Sequence, residues 1–174
     1  MTQDGKHHFI DGPWDLVIAH PPCTYLTVTG NAWFNLCRYN TRAGARYMDR
    51  VDAIRFFMEF VVCNAKRVAI ENPVGIMSTV YRKPDQIIHP YMFGDAAEKK
   101  TCLWLKNLPA LTEVDPVEPP ARVEFNSGKT MPGWYAEAWR MPKEERQRIR
   151  SKTFPGIARA MADQWGGLTE EGRL

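Results

Sequence analysis

Two short segments hold residue types that could do covalent chemistry: His20-Pro21-Pro22-Cys23 and Glu71-Asn72-Pro73. A cysteine is a strong nucleophile as its thiolate, provided its surroundings lower its pKa or take its proton. A glutamate can hold or move a proton at a polar ring edge. His20, three residues before Cys23, could adjust the thiol. Each has a plain structural alternative. Cys23 could be a small residue filling a strand end, Glu71 could cap a loop, and His20 could be a hydrogen-bonding histidine. The chemical reading needs a fold that brings the two segments together.

The neighbouring elements supply such a fold. Residues 15–19 (Asp-Leu-Val-Ile-Ala) predict a buried strand, a short apolar run of the kind parallel sheets use. Pro21-Pro22 stop it, because neither can donate to a ladder. A polar loop with Gly30, Asn31 and Asn40 follows. Residues 43–66 predict a long helix, with Met48, Val51, Ile54, Phe57 or Met58, and Val61 at three- and four-residue steps. Phe56 and Phe60 widen that face, while Arg46, Arg50 and Glu59 lie off it. Residues 67–71 predict a second buried strand, stopped by Asn72-Pro73. Strand, helix, strand is the βαβ unit. Its two strands end on one sheet edge, where open α/β sheets hold ligands. Cys23 and Glu71 are therefore expected to be neighbours in space.

Beyond this unit, residues 75–82 suggest a short helix, and residues 86–89 and 101–106 suggest two strands. The link over 93–100 is too short for a crossover helix, which predicts an antiparallel pairing. Over about 107–152 the chain becomes a loop-rich basic and aromatic excursion, with prolines at 109, 116, 119, 120, 132 and 142. One helix is expected at 142–150. Residues 156–165 predict a compact helix ended by Gly166-Gly167. Taken together, 1–174 reads as a single α/β domain.

Bulk properties narrow the class. The chain has 174 residues, enough for one real core. Its 44% apolar and 25% charged content is ordinary for a globular protein. A net charge of +3 permits contact with a polyanion without arguing for it. No apolar run is long enough to cross a bilayer, and the polar start carries no signal-peptide segment. The expectation is an intracellular, cytoplasmic protein without a membrane partner. The cysteines at 23, 37, 63 and 102 form no Cys-x-x-Cys pair, so no metal site and no disulfide framework is expected. Cys37, Cys63 and Cys102 are expected to be buried small hydrophobes.

Asp15-Leu-Val-Ile-Ala-His-Pro-Pro-Cys23 resembles the strand and Pro-Cys nucleophile loop of cytosine-C5 DNA methyltransferases. Ala69-Ile70-Glu71-Asn72-Pro73 is similar to their Glu-Asn-Val segment, with Pro73 in place of valine. Phe154-Pro155-Gly156-Ile157-Ala158 is similar to the start of their last conserved helix. The run as a whole, with Thr101-Cys-Leu-Trp-Leu105, resembles short phage and prophage proteins of that type, over about residues 13–167. The resemblance implies a partial Rossmann-like methyltransferase domain with a mainly parallel sheet and an antiparallel strand toward the C-terminal half. It implies Cys23 as the nucleophile that adds to C6 of a flipped cytosine. Glu71 would hold the ring's N3 and amine, with His20, Pro22, Asn72 and Pro73 around the base. Lys99, Lys100 and Thr101 stand where the family carries an arginine-bearing segment. S-adenosylmethionine would be the methyl donor, with Gly156 and Ile157 near it, in a bacterial or phage-infected cell.

The family's glycine-rich donor turn has no counterpart here, and the N-terminal strands of the full fold are expected to be missing. The strand at 15–19 would then be an open edge, an aggregation hazard unless covered. A second copy of the chain, a partner chain or the segment 6–11 is expected to cover it. DNA is the expected partner. Among the cations and aromatics of the excursion, Lys129, Arg140, Arg146 and Arg150 are candidates for phosphate contact; the alternative is a solvated helix face. A catalytically inactive DNA- or nucleotide-binding relic is the competing reading. An amino-methyltransferase is disfavoured because Cys23 replaces the aromatic of Asp-Pro-Pro-Tyr. A zinc deaminase is disfavoured because His-x-Glu and Cys-x-x-Cys are lacking.

Overall fold

Leu16–Ala19 forms the first strand, β1, and Arg67–Pro73 forms β2. They pair in parallel, with Leu16 opposite Arg67 and Ala19 opposite Ile70. This computed structural model describes residues 12, 14–151 and 153–168. Between the strands lie a 3-10 segment, Val28–Phe34, a one-turn helix α1, Leu36–Tyr39, and the long helix α2, Thr41–Val62. The Asn35 side chain accepts the Arg38 N–H at 3.1 Å and so starts α1. Asn40 takes a left-handed φ of 42° between the helices, a conformation asparagine tolerates better than most residues.

The chain then forms α3, Met77–Val80, β3, Gln86–Ile88, and β4, Thr101–Lys106. β4 enters the sheet next to β2, giving the order β1-β2-β4-β3. β4 runs antiparallel to β2, with Glu71 opposite Leu103, Asn72 opposite Cys102 and Pro73 opposite Thr101. The architecture is therefore α/β with a mixed sheet. β1 and β2 are the parallel pair, and β4 is an antiparallel strand of the kind expected toward the C-terminal half.

Residue contacts divide the chain into two units, Met1–Ile87 with Thr101–Ala110, and Ile88–Lys100 with Leu111–Leu174. The core of the first gathers Ala19, Leu26, Phe57, Ala65, Val68, Ile70, Met77, Cys102 and Trp104. Phe57 from α2 meets Trp104 from β4 edge-on, with ring centroids 5.2 Å apart. The Trp104 indole donates to the Arg82 carbonyl at 2.9 Å, so its one polar atom is satisfied.

Three expectations about this unit need correction. β1 is an edge strand and is not buried throughout: Ala19 is buried, but Ile18 is 36% exposed. The apolar stripe of α2 serves the core only in its second half. Ile54, Met58 and Val61 pack on the core with Phe57, whereas Met48 and Val51 are exposed. Length explains this: 22 helical residues run about 33 Å, against about 13 Å for a four-residue strand such as β1. Cys37 is exposed and Cys63 half-buried, so only Cys102 fits the expectation of burial; Cys37 lies on the one-turn helix α1, which has no buried residue.

In the second unit, β5, Arg122–Glu124, and β6, Thr130–Pro132, form an antiparallel hairpin. Its turn is closed by the Gly128 N–H on the Phe125 carbonyl at 2.8 Å, with Gly128 at φ 72°. Helices α4, Gly133–Ala138, α5, Lys143–Ser151, and α6, Pro155–Trp165, follow. A 3-10 turn, Pro90–Phe93, supports the proline-rich stretch through Val114 N–H on the Met92 carbonyl (3.0 Å) and Val117 N–H on the Tyr91 carbonyl (2.9 Å). Gln164 of α6 bonds both the N–H and the carbonyl of Thr112, each at 2.8 Å. Among the described residues, no helix is long and apolar enough to cross a membrane. The segment 6–11, expected as one possible cover for β1, lies outside the described residues.

Candidate functional site

The parallel register of β1 and β2 aligns Ala19 with Ile70, so the next residue on each strand is brought side by side. Those residues are His20 and Glu71. His20 Nδ1 lies 3.1 Å from Glu71 Oε2. The carboxylate is the more enclosed partner, 17% exposed against 42% for the imidazole. In the tautomer whose Nδ1–H donates to Glu71, Nε2 is left as a hydrogen-bond acceptor.

Asn72, one residue on, is 1% exposed. Its Nδ2 donates to the Pro21 carbonyl at 2.7 Å. Two contacts thus tie the His-Pro-Pro-Cys loop to the end of β2, Glu71-Asn72-Pro73. The Asn72 Oδ1 is buried and has no hydrogen-bond partner, an acceptor held ready beside the site. Thr101 is buried and flanks this edge as the register partner of Pro73.

Cys23 is half-buried and Pro22 exposed. The Cys23 carbonyl accepts the N–H groups of Leu26 and Thr27, both at 3.0 Å, which folds the chain into a tight turn. That turn docks on the loop after β2: Ile76 N–H donates to the Leu26 carbonyl at 2.8 Å and Val28 N–H to the Val74 carbonyl at 3.2 Å. The approach requires glycine at 75, where a Cβ would collide with the Leu26 carbonyl. From above, α2 holds the same turn through Arg46, Asp49 and Arg50. The sequence reading placed the two arginines only as residues off the apolar stripe. Their i, i+3, i+4 spacing with Asp49, one helix face, was the signal available.

The remaining candidates belong to the second unit. Lys99 lies over the Phe154 ring, 5.7 Å from its centroid, and Lys100 is exposed. Lys129 and Arg140 are exposed, and the Arg146 guanidinium lies 5.1 Å from the ring centroid of exposed Trp139. The Arg150 side chain lies outside what the structure describes.

A methyl donor would need a cradle of backbone N–H groups, and the described residues do not fit one. None of the four strands of the sheet is followed by a Gly-x-Gly turn. The Gly156 N–H already donates to Asp95 Oδ2 at 2.8 Å, and a Cβ at 156 would collide with the Phe93 carbonyl. Ile157 is buried. These residues lock the start of α6 in place.

The chain matches no protein-family model and no curated protein.

Proposed function

We propose that the chain is a cytosine-C5 DNA methyltransferase-like protein presenting the base-side half of such a site, within a partial Rossmann-like methyltransferase fold. The observation that carries this reading is the meeting of His20 with Glu71 and of Asn72 with Pro21. The two segments singled out in the sequence for their chemistry touch at two points, although they come from different strands.

In this reading the Cys23 thiol loses its proton, with the His20 ring as the acceptor, and Sγ forms a bond to C6 of a cytosine turned out of the duplex. The C5–C6 double bond opens and its electrons move toward C5 and N3. The proton that His20 takes up is balanced by the release of its Nδ1 proton to Glu71, which passes it to N3, so that charge does not build up on the ring. The adduct leaves C5 electron-rich, ready for an electrophilic carbon. S-adenosylmethionine is the donor class the resemblance implies. Because the described residues form no cradle for it, donor binding belongs to a partner chain at the β1 edge.

The test separates addition from methyl transfer. Duplex DNA carrying 5-azacytosine traps a thiol at C6 without any methyl donor, whereas 5-fluorocytosine holds the enzyme only after methyl transfer. The expected result is a covalent adduct with the 5-azacytosine duplex, seen by denaturing electrophoresis and intact mass, and lost in Cys23→Ala. An adduct that survives Cys23→Ala, or no adduct at all, overturns the reading. DNA binding retained without any adduct would favour the inactive relic, the reading to which the engaged Gly156 N–H also points.

A further inference from the structure

We infer that Arg50, acting with Arg46 and Asp49 on the same face of α2, is a positioning residue that holds the Cys23 turn in its reactive shape. The reactive-shape part of this statement rests on the proposed role of Cys23; the clamp itself does not.

The geometry is specific. Arg50 Nε donates to the Tyr25 carbonyl at 2.8 Å. Its Nη2 donates to Asn31 Oδ1, also at 2.8 Å. Its guanidinium lies 3.4 Å from the Phe34 ring centroid. One side chain therefore grips the loop at its start, in its middle and at its end. Arg46, one helical turn earlier, donates from Nη2 to the Thr24 carbonyl at 3.4 Å and lies over both the Tyr25 and Phe34 rings, 4.9 and 5.2 Å from their centroids. Asp49 accepts the Tyr25 hydroxyl, which holds that phenol above its ordinary pKa. The two residues after Cys23 are thus held at three points from one helix face.

Carbonyl groups are the key acceptors. Thr24 and Tyr25 have no strand partner for their carbonyls, and a loop carbonyl facing a helix needs a donor. A guanidinium can supply two N–H groups in a fixed fork and stack on an aromatic ring at once; an ammonium cannot do both. The Asn72 bond to Pro21 fixes the chain on the near side of Cys23, and the α2 arginines fix it on the far side. The thiol is carried between two anchored points.

The experiment uses the full chain, with Arg50→Ala, Arg50→Lys and, as a control on the same helix, Arg55→Ala, whose side chain makes an exposed pair with Asp52. Three quantities are read: amide hydrogen exchange at Leu26, Thr27 and Gly30; the rate of Cys23 alkylation by iodoacetamide, resolved by peptide mass; and the rate of adduct formation at saturating 5-azacytosine DNA, alongside the DNA Kd. In Arg50→Ala, exchange in the turn speeds up at least tenfold and alkylation of Cys23 changes several-fold. Adduct formation falls about 100-fold, the scale expected when a reacting atom is misplaced by about 1 Å, while the Kd stays within twofold. Arg50→Lys does not rescue these changes, and Arg55→Ala matches the wild type. Unchanged exchange and alkylation in Arg50→Ala, or full rescue by lysine, overturns the clamp. A parallel loss of Kd and adduct rate overturns the positioning role. If the wild-type chain forms no adduct, the proposed function fails while exchange and alkylation still decide the clamp. Should Arg50→Ala not fold, Tyr25→Phe removes only the hydroxyl bond to Asp49 and is read the same way, with a smaller effect expected in the same direction.

Discussion

His20 and Glu71 touch, but their contact is not expected to hold the fold together. The imidazole is 42% exposed, and exposed ion pairs contribute at most about 1 kcal/mol. His20→Ala should therefore leave denaturant stability within about 1 kcal/mol of the wild type while slowing adduct formation. A large loss of stability would make His20 a structural residue. Asn72 is the opposite case. It is buried and its amide is the partner of the Pro21 carbonyl. Asn72→Ala leaves that carbonyl without its donor and should cost about 1–3 kcal/mol in urea unfolding. The sequence made Cys23, Glu71 and His20 legible because their side chains have few uses at a strand end. It could not show that Asn72 reaches Pro21, since that bond depends on the register of two strands far apart in the chain. Nor could it show that a ring nitrogen of His20 meets the Glu71 carboxylate.

At the scale of elements, β1, α2, β2, β3 and β4 were readable from apolar runs and period; the proline stop held after β1, whereas β2 runs on through Asn72 and Pro73, which pair with Cys102 and Thr101. The hairpin β5–β6 and helix α4 were not, because a proline-rich composition masks short elements that rest on tertiary hydrogen bonds. The apolar stripe of α2 was readable too, but not where it stops being useful. Its first half holds the loop after Cys23 instead of the core, a division set by the length of the sheet below. Two substitutions test this arrangement. Phe57→Ala removes the ring that packs on Trp104 and should cost about 3–5 kcal/mol; the same change at exposed Met48 should fall within about 0.5 kcal/mol of the wild type, both read by urea unfolding. Gly75→Ala pushes a methyl group into the Leu26 carbonyl, so the docking of the two loops must open. A loss of about 1–3 kcal/mol is expected, with faster hydrogen exchange at Ile76 and Val28.

For the molecule as a whole, one buried histidine of the second unit makes stability depend on pH. In the second unit, burial pulls the His89 imidazole below its ordinary 6.5; nearby Glu98 acts in the opposite direction and Lys100 adds to the fall. The unfolded chain therefore binds this proton more readily than the folded one. The stability involved is complete above about pH 6.5 and is lost as the pH falls below it. Unfolding midpoints taken from about pH 7 to about pH 5 should drop further for the wild type than for His89→Gln. The strand order β1-β2-β4-β3 has a consequence for synthesis. β3 is made before β4 yet lies beyond it, and the second edge of β2, with its buried run Val68, Ala69 and Ile70, has no partner until Lys106 has been added. At roughly 5–20 residues per second, that leaves the edge open for on the order of a few seconds after β2 emerges. Ribosome-bound chains halted before β4 should recruit a chaperone that binds extended apolar segments, and chains halted well past it should release that chaperone.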